Sequence, residues 1–170
     1  NGFSFTSAGV SSPMIAHATA VMRLQYDAGK SSVDTFGDQK LAVSSENPEI
    51  IDCKKEGSAS NVICESKQAG VAYIRVTSTV DGSFIDRVKI EAAEIARIEV
   101  DAAPIILMEG SQARYFIQSY DAKDRMLVGK GAIEFSTSPA DQPKLSAWRE
   151  GQTFLGSDND QYLKVEAEGG

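Results

Sequence analysis

Apolar residues in this chain recur at every second position, the spacing of a half-buried strand, and nowhere sustain the 3.6-residue spacing of an amphipathic helix. Residues 71–77 predict a strand with Ala72, Ile74 and Val76 on one aliphatic face. Asp81-Gly82 follows as a hairpin turn, since Gly tolerates the positive φ that such turns require. The return strand, residues 84–92, places Val88 and Ile90 on one side and Arg87, Lys89 and Glu91 on the other, as in a pair with one face on a core and one in water. Residues 91–97 are locally helix-favouring, yet they run straight into the alternating Ile98-Glu99-Val100. They therefore read as a strand end, a short joint and a new strand, which Pro104 later interrupts. Turn signals such as Asn47-Pro48, Glu56-Gly57, Glu109-Gly110 and Ser138-Pro139 fall between strands at short, fairly even intervals. That rhythm predicts an all-β sandwich or barrel.

The pattern also repeats. Tyr26-Asp27-Ala28 ends one alternating stretch and Tyr120-Asp121-Ala122 ends another; each is followed by a second matching segment, residues 41–45 and 133–137. The offset between copies is about 92 to 94 residues, close to the length of one β-sandwich domain. The expected organisation is two tandem antiparallel β-sandwich domains, residues 1–93 and 94–170. Tandem modules of one kind point to a spacer or binding array before they point to an enzyme.

Composition narrows the partners. A chain of 170 residues allows two small domains, each near the lower limit for burying its own core. Net charge is −7, with acidic residues spread along the chain, which disfavours nucleic acid and anionic membranes. No stretch approaches the roughly 20 apolar residues that span a bilayer. The sequence starts at Asn1 without a signal-peptide pattern, which fits a mature product or an excised piece.

Two cysteines, Cys53 and Cys64, have ten residues between them and polar, turn-like flanks. Two strands joined by a hairpin near residues 57–59 would bring the sulfurs within reach. A disulfide closing this loop contributes about 3 kcal/mol and implies an oxidising compartment; the alternative is two reduced, half-buried thiols.

Candidate chemistry is sparse. His17 is the only histidine and has no visible catalytic partner. Neither a nucleophile elbow, a phosphate loop nor a dinucleotide fingerprint occurs. Calcium is the one cofactor worth weighing: Asp158, Asn159 and Asp160 offer oxygen donors in a short loop, though without the glycine and distal glutamate of a helix-loop-helix site. Glu91, Glu94, Glu99 and Asp101 form a lesser candidate at the joint. Trp148, the only tryptophan, is a binding anchor if exposed and a core residue if buried.

The residues of the first copy carry a family resemblance. An alternating strand ends in Tyr26-Asp27-Ala28-Gly29-Lys30, Ser44-Ser45-Glu46-Asn47-Pro48 follows, and Gly70-Val71-Ala72-Tyr73-Ile74-Arg75-Val76 lies near the end. This order resembles the bacterial immunoglobulin-like domains of the invasin and intimin type. The second copy matches from Val100 to about Ser138. Val43 and Phe135 stand where the family often carries Trp, and Gly170 falls where the second copy's last strands would begin. A fragment of a longer array, or a strand donated by a partner, would account for that end. The resemblance implies tandem Ig-like sandwiches in a secreted, periplasmic or cell-surface bacterial protein. It implies a non-catalytic role in adhesion or as a spacer, with protein, glycan or neighbouring Ig-like domains as partners. An accessory carbohydrate- or protein-binding module, or an envelope, pore or phage assembly component, is the alternative.

Overall fold

Strands, numbered in chain order, account for all the regular structure of the described residues in the computed structural model; those residues are 2–6, 13–27, 32–33, 40–55, 61–101, 112–130, 133, 145–151 and 161–167. One sheet runs in the order β1 (Gly2–Thr6), β3 (Thr19–Asp27), β7 (Asn61–Ser66), β6 (Ile51–Lys55), with β4 (Ser32–Val33) added on β3. A second runs β2 (Met14–Ile15), β9 (Phe84–Ala93), β8 (Gly70–Ser78), β5 (Leu41–Ser45). Every pair within them is antiparallel except β2 with β9.

The two sheets close on one core, and the alternation decides what enters it. Met22, Leu24, Ile51 and Val62 come from the first sheet, and Ala72, Ile74, Val76, Val88 and Ile90 from the second; all are buried. Burying each Ile, Leu, Val or Met side chain contributes roughly 1.5–3 kcal/mol. Cys53 and Cys64 stand opposite each other in the β6–β7 ladder, face this core and are joined by a disulfide. Between β8 and β9, Gly82 at φ 72° supplies the left-handed residue of the turn, and its amide donates to Ser78 O at 2.9 Å.

The Ser-Ser-Glu-Asn-Pro segment ties the sheets together. Ser45 Oγ donates to Ile51 O at 2.6 Å and accepts from Asn47 N at 3.1 Å; Asn47 Oδ1 accepts from Tyr73 N at 3.3 Å. Short polar side chains at these positions satisfy backbone groups where the chain crosses from β5 to β6.

The described strands after β9 form a third sheet: β10 (Arg97–Asp101), β11 (Gln112–Tyr120), β14 (Gln161–Ala167), β13 (Leu145–Gly151), with β12 (Met126–Leu127) on β11. Strand for strand, this is the arrangement of the first sheet. The fold is all-β and Ig-like. The helix-favouring stretch is divided: β9 ends at Ala93 and β10 starts at Arg97. Trp148 lies on β13 opposite Lys164, and its side chain falls outside the described residues, as do Asp158, Asn159 and Asp160.

Candidate functional site: the joint between the halves

The connection from β9 to β10 is only three residues long, too short to hold two bodies apart, and contacts form on both sides of it. Residues 128–130, just after β12, lie between the end of β2 and the start of β3. Ile15 N donates to Val128 O at 2.9 Å and Val128 N to Pro13 O at 2.9 Å. Thr19 N donates to Lys130 O at 2.8 Å and Lys130 N to Thr19 O at 2.7 Å. Four backbone hydrogen bonds thus join the C-terminal part of the chain to the N-terminal sandwich. Beneath them, buried Ile15, Ala18 and Leu127 pack together with Ala93 and Ile95, and Val128 packs on the main core.

Gly129 permits this approach. Its φ is +133°, and a Cβ there would lie 3.2 Å from Ala18 Cβ and 3.3 Å from the Thr19 carbonyl oxygen, neither of them a flexible side-chain end. Gly129→Ala is expected to destabilise the joint by about 1–3 kcal/mol. Faster amide exchange at Thr19 and Lys130 than in the wild type would register it; unchanged exchange would count against this role.

The polar part of the joint is built by the second Tyr-Asp-Ala motif. Asp121 is buried at 6% exposure, and its Oδ1 accepts from Lys123 N and Arg125 N, each at 2.9 Å. This closes a tight loop in which Asp124 adopts φ 61°, a conformation that Asp tolerates better than most residues. The loop aims Arg125 in a fixed direction. Its Nε donates to Asp121 Oδ2 at 2.8 Å, while Nη1 and Nη2 reach across to Glu91 on β9 at 3.0 and 2.7 Å. The planar guanidinium suits this two-pronged geometry, which an ammonium would not reproduce.

Charge and hydrogen bonding reinforce the arrangement. The hydrogen bonds from Arg125 hold the Glu91 carboxyl below its ordinary value, against the upward push of burial. Burial pushes Asp121 up, but the bonds from the Arg125 amide, the guanidinium and the Lys123 amide outweigh it and leave that carboxyl lowered. Arg125 is raised in turn, by Glu91 first and Asp121 second. Because both carboxyl values are depressed, their contribution is complete above the ordinary carboxylate range and is lost as pH falls through the lowered values. A protected Arg125 Nε–H resonance is therefore expected at about pH 6 and should persist below about pH 4, the ordinary carboxylate value, vanishing only as pH falls further. Loss of that resonance at or above the ordinary carboxylate range would contradict the pairing.

The remaining polar candidates are dispersed. Glu91 is taken by Arg125, Glu94 lies 3.9 Å from His17 Nε2, and Glu99 pairs with Arg97, which also meets Asp124. Among the described residues, no group of three or more His, Cys, Asp or Glu side chains gathers as a metal site. His17 sits in the turn between β2 and β3 at φ 60°, exposed. A shallow cleft of about 310 Å³ beside the joint is lined by Gly70, Ala93, Lys123 and the Glu91–Arg125–Asp121 group. Arg125 is committed to two carboxylates, and the group links β9 to the loop between β11 and β12. The spacing of Tyr-Asp-Ala marked this position in the sequence, but nothing local showed that Arg125 would reach Glu91, 34 residues earlier.

These features define an all-β Ig-like chain with a closed internal joint. No family model and no curated protein matches it. Among solved structures it is similar to domains 4–9 of the surface-layer protein SbsC, with TM-score 0.40 and 10% identity, covering 99% of this chain and 27% of that one. It is also similar to SbsC domains 5–6, with TM-score 0.39 and 13% identity over 96% of this chain and 84% of the other. A further likeness is to FdeC, an Escherichia coli adhesin, with TM-score 0.32 and 11% identity over 98% and 55%. The chain spans about a quarter of the first of these structures. Likeness at this level speaks to neither activity nor partner.

Proposed function

We propose that this chain is a non-catalytic, Ig-like spacer segment of a secreted, periplasmic or cell-surface protein. Its work is to hold successive modules at a fixed angle so that a binding region elsewhere is presented. The supporting observation is the set of four backbone hydrogen bonds between residues 13–19 and 128–130. Domains joined only by a linker move relative to each other by default, and a ladder across the joint opposes that. The resemblance to invasin- and intimin-type modules agrees with such a role, and the core-facing disulfide suits an oxidising compartment. Small-angle X-ray scattering of the chain tests the reading. A spacer gives a profile that one conformer fits; a profile that needs a broad set of interdomain angles would sink it.

A further inference from the structure

The outer face of the second sheet carries charge of the opposite sign to the chain as a whole. Net charge is −7, yet exposed Arg75, Arg87 and Lys89 stand together on β8 and β9, the two central strands of that sheet. Arg75 and Arg87 are directly opposite in register, and Lys89 is opposite Tyr73. Like charges facing each other across a ladder cost stability, so this row is no aid to folding. Arg87 lies 3.8 Å above the Tyr73 ring, and Arg75 lies 5.4 Å from the ring of Phe84, which is 54% exposed. Glu46 takes Arg87, at 2.9 Å from Nε and 2.7 Å from Nη2. Among the described residues, Arg75 has no carboxylate partner.

We infer that this face binds an acidic polysaccharide, with Arg75 and Arg87 as paired forks for its carboxylate or sulfate groups and Lys89 as a third charge. Guanidinium forks suit planar anions, and the ring of Phe84 beside Arg75 offers an apolar surface to a sugar's C–H face. The strand positions favour a glycan over an acidic peptide. A peptide captured by a sheet adds along an edge through backbone bonds, whereas β8 at Arg75 is paired on both sides, with Arg87 of β9 and Ser44 of β5. Nucleic acid is too dense a polyanion for a chain this acidic. At physiological salt the screening length is about 8 Å, so three clustered cations act locally despite distant acids. Glu46 competes with the ligand for Arg87, so its removal should strengthen binding.

The test is titration calorimetry with polygalacturonate at low salt and again at about 0.15 M. Binding that weakens with salt is expected. Arg75→Gln should weaken it about tenfold, the effect of losing one charge-assisted bond. Glu46→Gln should tighten it several-fold by freeing the second fork. Both residues lie on the outer face, and matched melting curves confirm that the variants fold. Absence of binding at low salt would overturn the inference, as would an unchanged affinity in Arg75→Gln. Equal affinity for polyglutamate would overturn the glycan assignment in favour of an acidic protein partner.

Discussion

Replacing Cys53 and Cys64 together by alanine is expected to lower the stability of the N-terminal sandwich by about 3 kcal/mol. The bond closes a loop with a sequence separation of 11, and its loss returns that loop's freedom to the unfolded chain. Alanine leaves no buried hydroxyl, so the change reads as lost cross-link plus a small loss of packing. Both sulfurs face the core, with Cys53 at 2% and Cys64 at 0% exposure. Mild reductant should therefore leave the folded protein oxidised, and reduction should follow the rate at which the sandwich opens. Urea unfolding of the variant beside the wild type measures the effect. Coincident midpoints, or rapid reduction of the native protein, would mean that the bond constrains nothing the strands do not already hold.

Arg125→Gln is expected to uncouple the halves of the chain. Glutamine reaches neither carboxylate as a charged fork, so Asp121 and Glu91 lose their shared counter-ion and face each other across the joint. The loop cap from Asp121 to the Lys123 and Arg125 amides remains, so the third sheet keeps its local structure. Calorimetry should show two unfolding steps in the variant where the wild type shows one, the lower displaced by about 5 °C. Arg125→Lys should behave more like glutamine than like the wild type, because a point charge cannot hold both partners in the guanidinium geometry. A single transition at the wild-type temperature in both variants would show that the backbone bonds suffice alone.

Much of this fold was legible because one sheet face is buried and the other wet. Alternation at 71–77 and 84–92 placed Ala72, Ile74, Val76, Val88 and Ile90 inward, and the core contains all five. The cysteine flanks pointed to a hairpin, and β6 and β7 place the two sulfurs opposite each other. The repeat of Tyr-Asp-Ala was visible, but its use was not. Asp121 acts by capping a loop that aims Arg125, and Arg125 acts on a strand that sequence spacing does not connect to it. Such long-range pairs leave no periodic trace. The acids of the joint suggest a shared ion in the sequence, but the structure sends Glu91 to Arg125, Glu99 to Arg97 and Glu94 to the neighbourhood of His17. Gly129 reads in the sequence as one turn signal among several, and its close approach leaves no sequence trace, since its value lies in the neighbour that a Cβ would strike.

The most direct test of a fixed joint is ¹⁵N relaxation across the whole chain, analysed for rotational diffusion. If residues 13–19 and 128–130 form one continuous ladder in solution, amides of β8 and β9 and those of β10 and β11 report a single anisotropic tumbling tensor. Separate correlation times for the two groups would show bodies moving independently, and the spacer account would fail with them.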